Sequence, residues 1–220
     1  MQLYSGPLSL FTAKVRIALR EKGIAAEIVE VPFGRQGYEP KHPEVVRSNP
    51  KAQVPVLVDG DVTLTDSTVI LEYLEDRHPE PALYPKDPAD RARCRQLEMF
   101  ADEVLFPPIL TLIREVFYAP EGGGDAELIA AAHEAIAAFH DDLEARFGDG
   151  PYFCGEFSVA DIGIYLDCMF AASFGVAFAE RHPRLRAWQE RMNARPAIAQ
   201  EAREMLAFQA SLPPKQGAAA

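Results

Sequence analysis

Four prolines fall within the eleven residues HPEPALYPKDP (78–88), and no regular element passes through such a stretch. Each proline fixes φ and removes a backbone donor, so the segment reads as a semi-rigid boundary. The two sides follow different patterns. Before the boundary, strand and helix signals alternate; after it, every periodic segment is helical. The chain therefore divides into an α/β domain over 1–80, a linker over 81–88, an all-helical domain over 89–210 and a disordered tail over 211–220.

In the first half, QLYS reads as a short strand. Phe11, Val15, Ala18 and Leu19 keep helical spacing from Leu10 to Lys22, with Gly23 as the stop. EIVEV (27–31) is a second strand, completing a βαβ unit with two parallel strands. After a polar loop, VPVLV and DVTL flank Asp59-Gly60, a pair suited to a tight hairpin turn. A helix then starts near Asp66-Ser67. Together these segments predict a small, mixed, four-stranded sheet with helices packed on it.

The second half predicts helices near 89–118, 125–147, 158–174, 183–194 and 196–209. Pro107-Pro108 is expected to kink the first of them. Ser158 and Asp161 are spaced as a capping box at the start of the third, a structural feature. His133 and His140 share a helix face, but seven residues amount to about 10.5 Å of rise. One metal ion would not be held by both, and no metal site is expected.

The chain carries a formal net charge of −11, with 9 basic and 12 acidic side chains in residues 1–80 and 13 and 21 thereafter. That balance argues against nucleic acid as a partner, which needs a basic footprint. Cys94, Cys154 and Cys168 form no CxxC. With no leading apolar segment and no run approaching a membrane span of about 20 residues, the expectation is a reduced, cytoplasmic protein that does not engage a membrane.

Three places carry candidate chemistry. A lone hydroxyl, Ser9, stands between a strand and a helix start. Pro55 sits beside a strand, where it forfeits a ladder hydrogen bond. A cis Val54-Pro55 bond would turn the Val54 backbone outward to pair with a bound peptide; an ordinary trans edge proline is the alternative. Asp66 and Ser67 open a helix, where unpaired N–H groups and the dipole attract carboxylates, although plain capping uses the same residues.

These features occur in one order. YSGPLSLFTAKVRIALREKG, NPKAQVPVLVDGDVTLTDSTVILEYLE, YFCGEFSVADI and HPRLRAWQERMNARPAI together resemble the soluble glutathione transferase superfamily. The resemblance implies a thioredoxin-like N-terminal domain, an all-α C-terminal domain, a cis Pro55 and a homodimer. It also implies glutathione as co-substrate. Ser9 matches the hydroxyl of the serine-type classes. Val54 matches the residue pairing with the cysteinyl backbone, and Gln53 a side chain at the peptide's far end. Asp66 and Ser67 match the pair holding the γ-glutamyl head, and Lys41 a cation near the glycine carboxylate. Phe11 departs from the zeta and beta patterns, which place a cysteine there. That argues against maleylacetoacetate isomerisation and against a mixed disulfide with glutathione.

The resemblance implies that Ser9 stabilises a thiolate belonging to glutathione. Ionising a thiol of pKa near 8.5 at pH 7 requires about 3 kcal/mol in favour of the anion. A hydroxyl donor supplies about 1.5–3 kcal/mol and a helix N-terminus about 0.3–1 kcal/mol, which suffices. The expected activity is attack of the thiolate on small apolar electrophiles, with Phe106, Ile113 and Phe117 as an apolar wall, or reduction of organic hydroperoxides. The rival reading is a non-catalytic binding or protein-interaction module on the same fold. Ser9, Gln53, Val54, Asp66 and Ser67 together favour the enzyme.

Overall fold

The computed structural model describes residues 1–34, 37–119 and 123–212. PPKQGAAA (213–220), most of the expected tail, lies outside the described residues. By contacts the chain forms two units: Met1–Leu83 joined by the last helix, and Tyr84–Arg195. The sequence reading had placed that last helix in the helical domain.

The first unit opens with β1 (Gln2–Ser5), α1 (Leu10–Glu21) and β2 (Glu27–Glu30), followed by α2 (Pro43–Ser48), β3 (Val56–Asp59), β4 (Val62–Thr65) and α3 (Ser67–Arg77). The sheet order is β2-β1-β3-β4, with β1 parallel to β2 and the remaining pairs antiparallel. Four strands in a mixed sheet agree with the expectation. The hairpin turn falls one residue later than expected. Asp59 pairs with Val62, so Gly60-Asp61 is the two-residue loop, with Gly60 at φ 62°. Glycine at the first turn position with positive φ matches the twist of antiparallel strands.

Helix α2 falls within the stretch expected to be a polar loop. Proline opens it and the His42 Nδ1 caps it by accepting from the Glu44 N–H at 3.2 Å. Its one buried residue, Val45, joins Val31 and Val56 in a small core against which Tyr4, Tyr38, Val54 and Val58 pack. The last helix, α9 (Pro196–Ser211), lies against α1.

In the second unit α4 (Pro88–Phe100) runs through a π-helical turn, Ala101–Leu105, into α5 (Phe106–Leu112), and a second π-helical turn, Ile113–Phe117, follows. Pro107 and Pro108 therefore sit in the first turn of α5, where missing donors cost little. The Phe106 N–H reaches back five residues to the Ala101 carbonyl, so the ladder resets ahead of the prolines. Then come α6 (Ala126–Arg146), α7 (Val159–Ser173) and α8 (Pro183–Asn193). Within this unit α7 packs on α4 and α5, and α6 on α5 and α8.

The Ser158–Asp161 cap is present and does more than cap. Asp161, wholly buried, accepts from the Ser158 N–H (3.0 Å) and hydroxyl (2.9 Å), the Phe153 N–H (3.1 Å) and Trp188 Nε1 (2.9 Å). Burial pushes its carboxyl up, and these four donors oppose that shift. Trp188 is itself wholly buried, edge-on to Phe153 at 5.1 Å. Among the described residues no helix is long and apolar enough to cross a membrane.

Candidate active site

Strand register assembles the site. Tyr4 of β1 lies opposite Val56 of β3, Val56 opposite Thr65 of β4, and Ser5 opposite Glu30 of β2. Four chain segments therefore meet at one end of the sheet: the loop after β1, the loop after β2, the approach to β3 and the exit from β4. Ser9, Val54-Pro55 and Asp66-Ser67 belong to three of them. Helices α1 and α3 both begin there, and neither carries an acidic residue in its first turn. The positive end of the α1 dipole thus faces the site without an acidic cap, whereas that of α3 meets the Asp66 carboxylate.

Ser9 is the N-cap of α1, with extended backbone (φ −83°, ψ 116°) and little exposure. Its Oγ accepts from the Thr12 N–H at 3.3 Å. Among the described residues nothing accepts the Ser9 hydroxyl proton, so the group is held as an acceptor and remains available as a donor. The loop under it is tightly held. The Ser9 N–H donates to the Gly6 carbonyl at 3.2 Å, and Thr12 Oγ1 donates to the same carbonyl at 2.9 Å. Tyr38 lies across the loop and its hydroxyl accepts from the Leu8 N–H at 3.2 Å. Any Cβ at Gly6 would come within 2.4 Å of the Tyr38 ring, so only glycine permits this approach.

The Val54-Pro55 bond is cis, as the resemblance implied. The Val54 side chain packs into the small valine core, while neither its N–H nor its C=O has a partner among the described residues. The loop before it is organised by the buried Asn49, a residue the sequence analysis did not single out. Its side chain accepts from the Lys51 N–H at 2.9 Å and donates to the Gln53 carbonyl at 2.6 Å. Gln53 is exposed.

Asp66 has φ 75° and ψ 126°, a region costly for a residue with a side chain. It caps α3 through the Thr68 N–H at 3.0 Å and is exposed, whereas Ser67 beside it is buried with no hydroxyl partner among the described residues. Lys41 leaves by the loop that carries Tyr38, and its ammonium lies 3.5 Å from Glu39. The register therefore brings Ser9, Val54, Pro55, Asp66 and Ser67 to one sheet end with Gln53 alongside, and Lys41 is engaged by a neighbouring carboxylate.

A thioredoxin-like sheet with helix N-termini and a capping hydroxyl at one end defines the class. Residues 3–82 match the N-terminal domain of glutathione S-transferases and residues 100–196 their C-terminal domain. The chain belongs to the glutathione S-transferase family. It is 33% identical over 211 residues to a maleylacetoacetate isomerase of Pseudomonas aeruginosa, covering 91% of this chain and 94% of that protein. It is 35% identical over 164 residues to a stringent starvation protein A homolog of Coxiella burnetii, covering 73% and 71%. The theta class glutathione S-transferase of Xanthomonas axonopodis pv. citri, solved with glutathione bound, superposes with a TM-score of 0.78 at 28% identity, covering 91% of this chain and 95% of that one.

Proposed function

We propose that this protein binds glutathione at the sheet end of the first unit and holds its sulfur as a thiolate against the Ser9 hydroxyl. The observation that carries the reading is the state of that hydroxyl: fixed by the Thr12 N–H, at the mouth of α1, with its proton undonated among the described residues. The bound peptide pairs as a short added strand with the N–H and C=O of Val54 beside Pro55, which have no partner among the described residues. The γ-glutamyl carboxylate meets the Ser67 hydroxyl at the start of α3, and the γ-glutamyl amine meets Asp66. Asp66 supports this assignment through its backbone, since strained conformations concentrate where a side chain must be aimed. Gln53 and Lys41 bind the peptide's far end, Lys41 exchanging Glu39 for the glycine carboxylate.

The thiolate then attacks a small apolar electrophile, or the peroxide oxygen of an organic hydroperoxide, breaking the O–O bond to release the alcohol and leave glutathione sulfenic acid, which a second glutathione thiol converts to disulfide with loss of water. The protein works as a cytoplasmic homodimer. The test is a pH titration of bound glutathione, followed by thiolate ultraviolet absorbance, in wild type and Ser9→Ala. The wild type is expected to show a thiol pKa about two units below solution, and Ser9→Ala to return it most of the way. Equal values in the two proteins remove Ser9 from the mechanism. No glutathione binding at all favours a binding module on the same fold.

A further inference from the structure

Resting on that reading of Ser9, we propose that Glu201, in the last helix, is a positioning residue for the Ser9 loop and acts through Arg16. The two residues lie 185 positions apart, and both are buried. The Gly6 carbonyl is the hub of the loop. It accepts from the Ser9 N–H, from Thr12 Oγ1 and, at 3.3 Å, from Arg16 Nη1. The same Arg16 nitrogen donates to the Ser5 hydroxyl. One edge of the guanidinium thus holds both ends of the step from β1 into the serine turn.

The other edge is gripped by Glu201. Arg16 Nε lies 3.0 and 3.1 Å from the two carboxylate oxygens, and Nη2 donates to Oε1. A guanidinium is planar, so fixing one edge fixes the other. Glu201 therefore sets the direction from which Arg16 reaches Gly6. A pair serving only to fasten α9 to α1 would need the Glu201 edge alone; the second edge, on the loop, is what makes Glu201 a positioning residue.

The charges facing this pair come from three elements. Arg20 on α1 reaches the second Glu201 oxygen at 2.6 Å and Glu204 of α9 at 2.5 Å, and Lys14 is buried on the same helix. Glu30, at the end of β2, has its carboxyl raised by burial, opposed by Arg16 and reinforced by Glu201 and Glu204. The α9 carboxylates are thus felt at the sheet end that holds the site.

The test compares Glu201→Gln, Arg16→Lys and Glu204→Gln, the last as control because Glu204 touches Arg20 and not Arg16. The first readout needs no ligand: amide hydrogen exchange at Ser9, whose N–H closes the turn onto Gly6. Exchange there is expected to quicken about tenfold in Glu201→Gln and Arg16→Lys, with the Leu3 amide unchanged and Glu204→Gln like wild type. The second readout is the pH titration of bound glutathione, where the first two variants are expected to raise the thiol pKa by about one unit. Removing a negative charge that acted only through its field would lower that pKa, so a downward shift overturns the proposal. Wild-type exchange at Ser9 in both variants overturns it as well. If wild type and Ser9→Ala titrate alike, the thiolate reading fails instead, and the exchange result still decides the role of Glu201. Arg16→Lys keeps the charge and loses the fork, so it carries the test should Glu201→Gln not fold.

Discussion

The sheet end of the first unit and the Asp161 hub of the second treat polar groups in opposite ways. Around Asp161 every valence is used: one carboxylate, two oxygens, four donors, in a core closed by Trp188. At the sheet end the Ser9 proton, the Val54 backbone and the Ser67 hydroxyl are unengaged among the described residues, and Asp66 holds a costly backbone. Both places open a helix with a hydroxyl and an aspartate nearby. Residue type alone does not separate a structural cap from a candidate binding site; the count of unmet hydrogen bonds among the described residues distinguishes these two places.

The sharpest way to break this contrast is Asp161→Ala. Three buried donors and the half-buried Phe153 N–H lose their acceptor, each buried one costing about 1–3 kcal/mol, so a loss of about 3 kcal/mol or more is expected in urea unfolding. A loss below about 1 kcal/mol would show that the hub is ordinary capping.

A smaller effect tests the second unit by pH. His140 is buried with neither ring nitrogen bonded among the described residues, and burial, helped by nearby His182, lowers its pKa from 6.5 to about 4. The unfolded chain takes up this proton below pH 6.5 while the native state resists it until about pH 4. Native stability therefore falls as pH drops through 6.5, by about 2 kcal/mol at pH 5. His140→Phe removes that loss, so its urea midpoint should gain on wild type steadily from pH 7.5 to pH 5. A constant difference across that range would place the protonation elsewhere.

The smallest expected effect sharpens the first unit. Asparagine caps helices and tolerates positive φ almost as aspartate does. Asp66→Asn should leave stability within about 0.5 kcal/mol and weaken glutathione binding about tenfold by calorimetry, since only the charge proposed to face the γ-glutamyl amine is lost. Unchanged binding would reduce Asp66 to a cap.

Much of this arrangement was legible in the sequence. Hydrophobic period marked all four strands and the long helices, and the Ser158–Asp161 spacing marked its cap. Helix α2 escaped because it is six residues long, opens on a histidine cap and buries one valine, so it has no period to detect. The first π-helical turn escaped because proline signals a break, and a five-residue register can absorb it without one; the second carries no proline and no sequence signal marks it. The candidate site residues were named from local motifs and from the resemblance to a known family, whereas their supports were not. Tyr38 meets Gly6 from across a loop, and Glu201 meets Arg16 from the far end of the chain. Such partners depend on register and packing, which local patterns do not encode.

Lys22, near the end of α1, has consequences for anyone cutting or extending this chain. Its ammonium, sealed from solvent, is shared by the carbonyls of His78 and Pro81 and by the Glu75 carboxylate, which also accepts from the Leu83 N–H. The peptide leaving α3 is thereby moored as far as Leu83. Insertions or protease sites engineered between 78 and 83 would tear that mooring, and from Asp87 onward they would strip the cap from α4, so the narrow gap at Pro85-Lys86 is the softer place for such an edit.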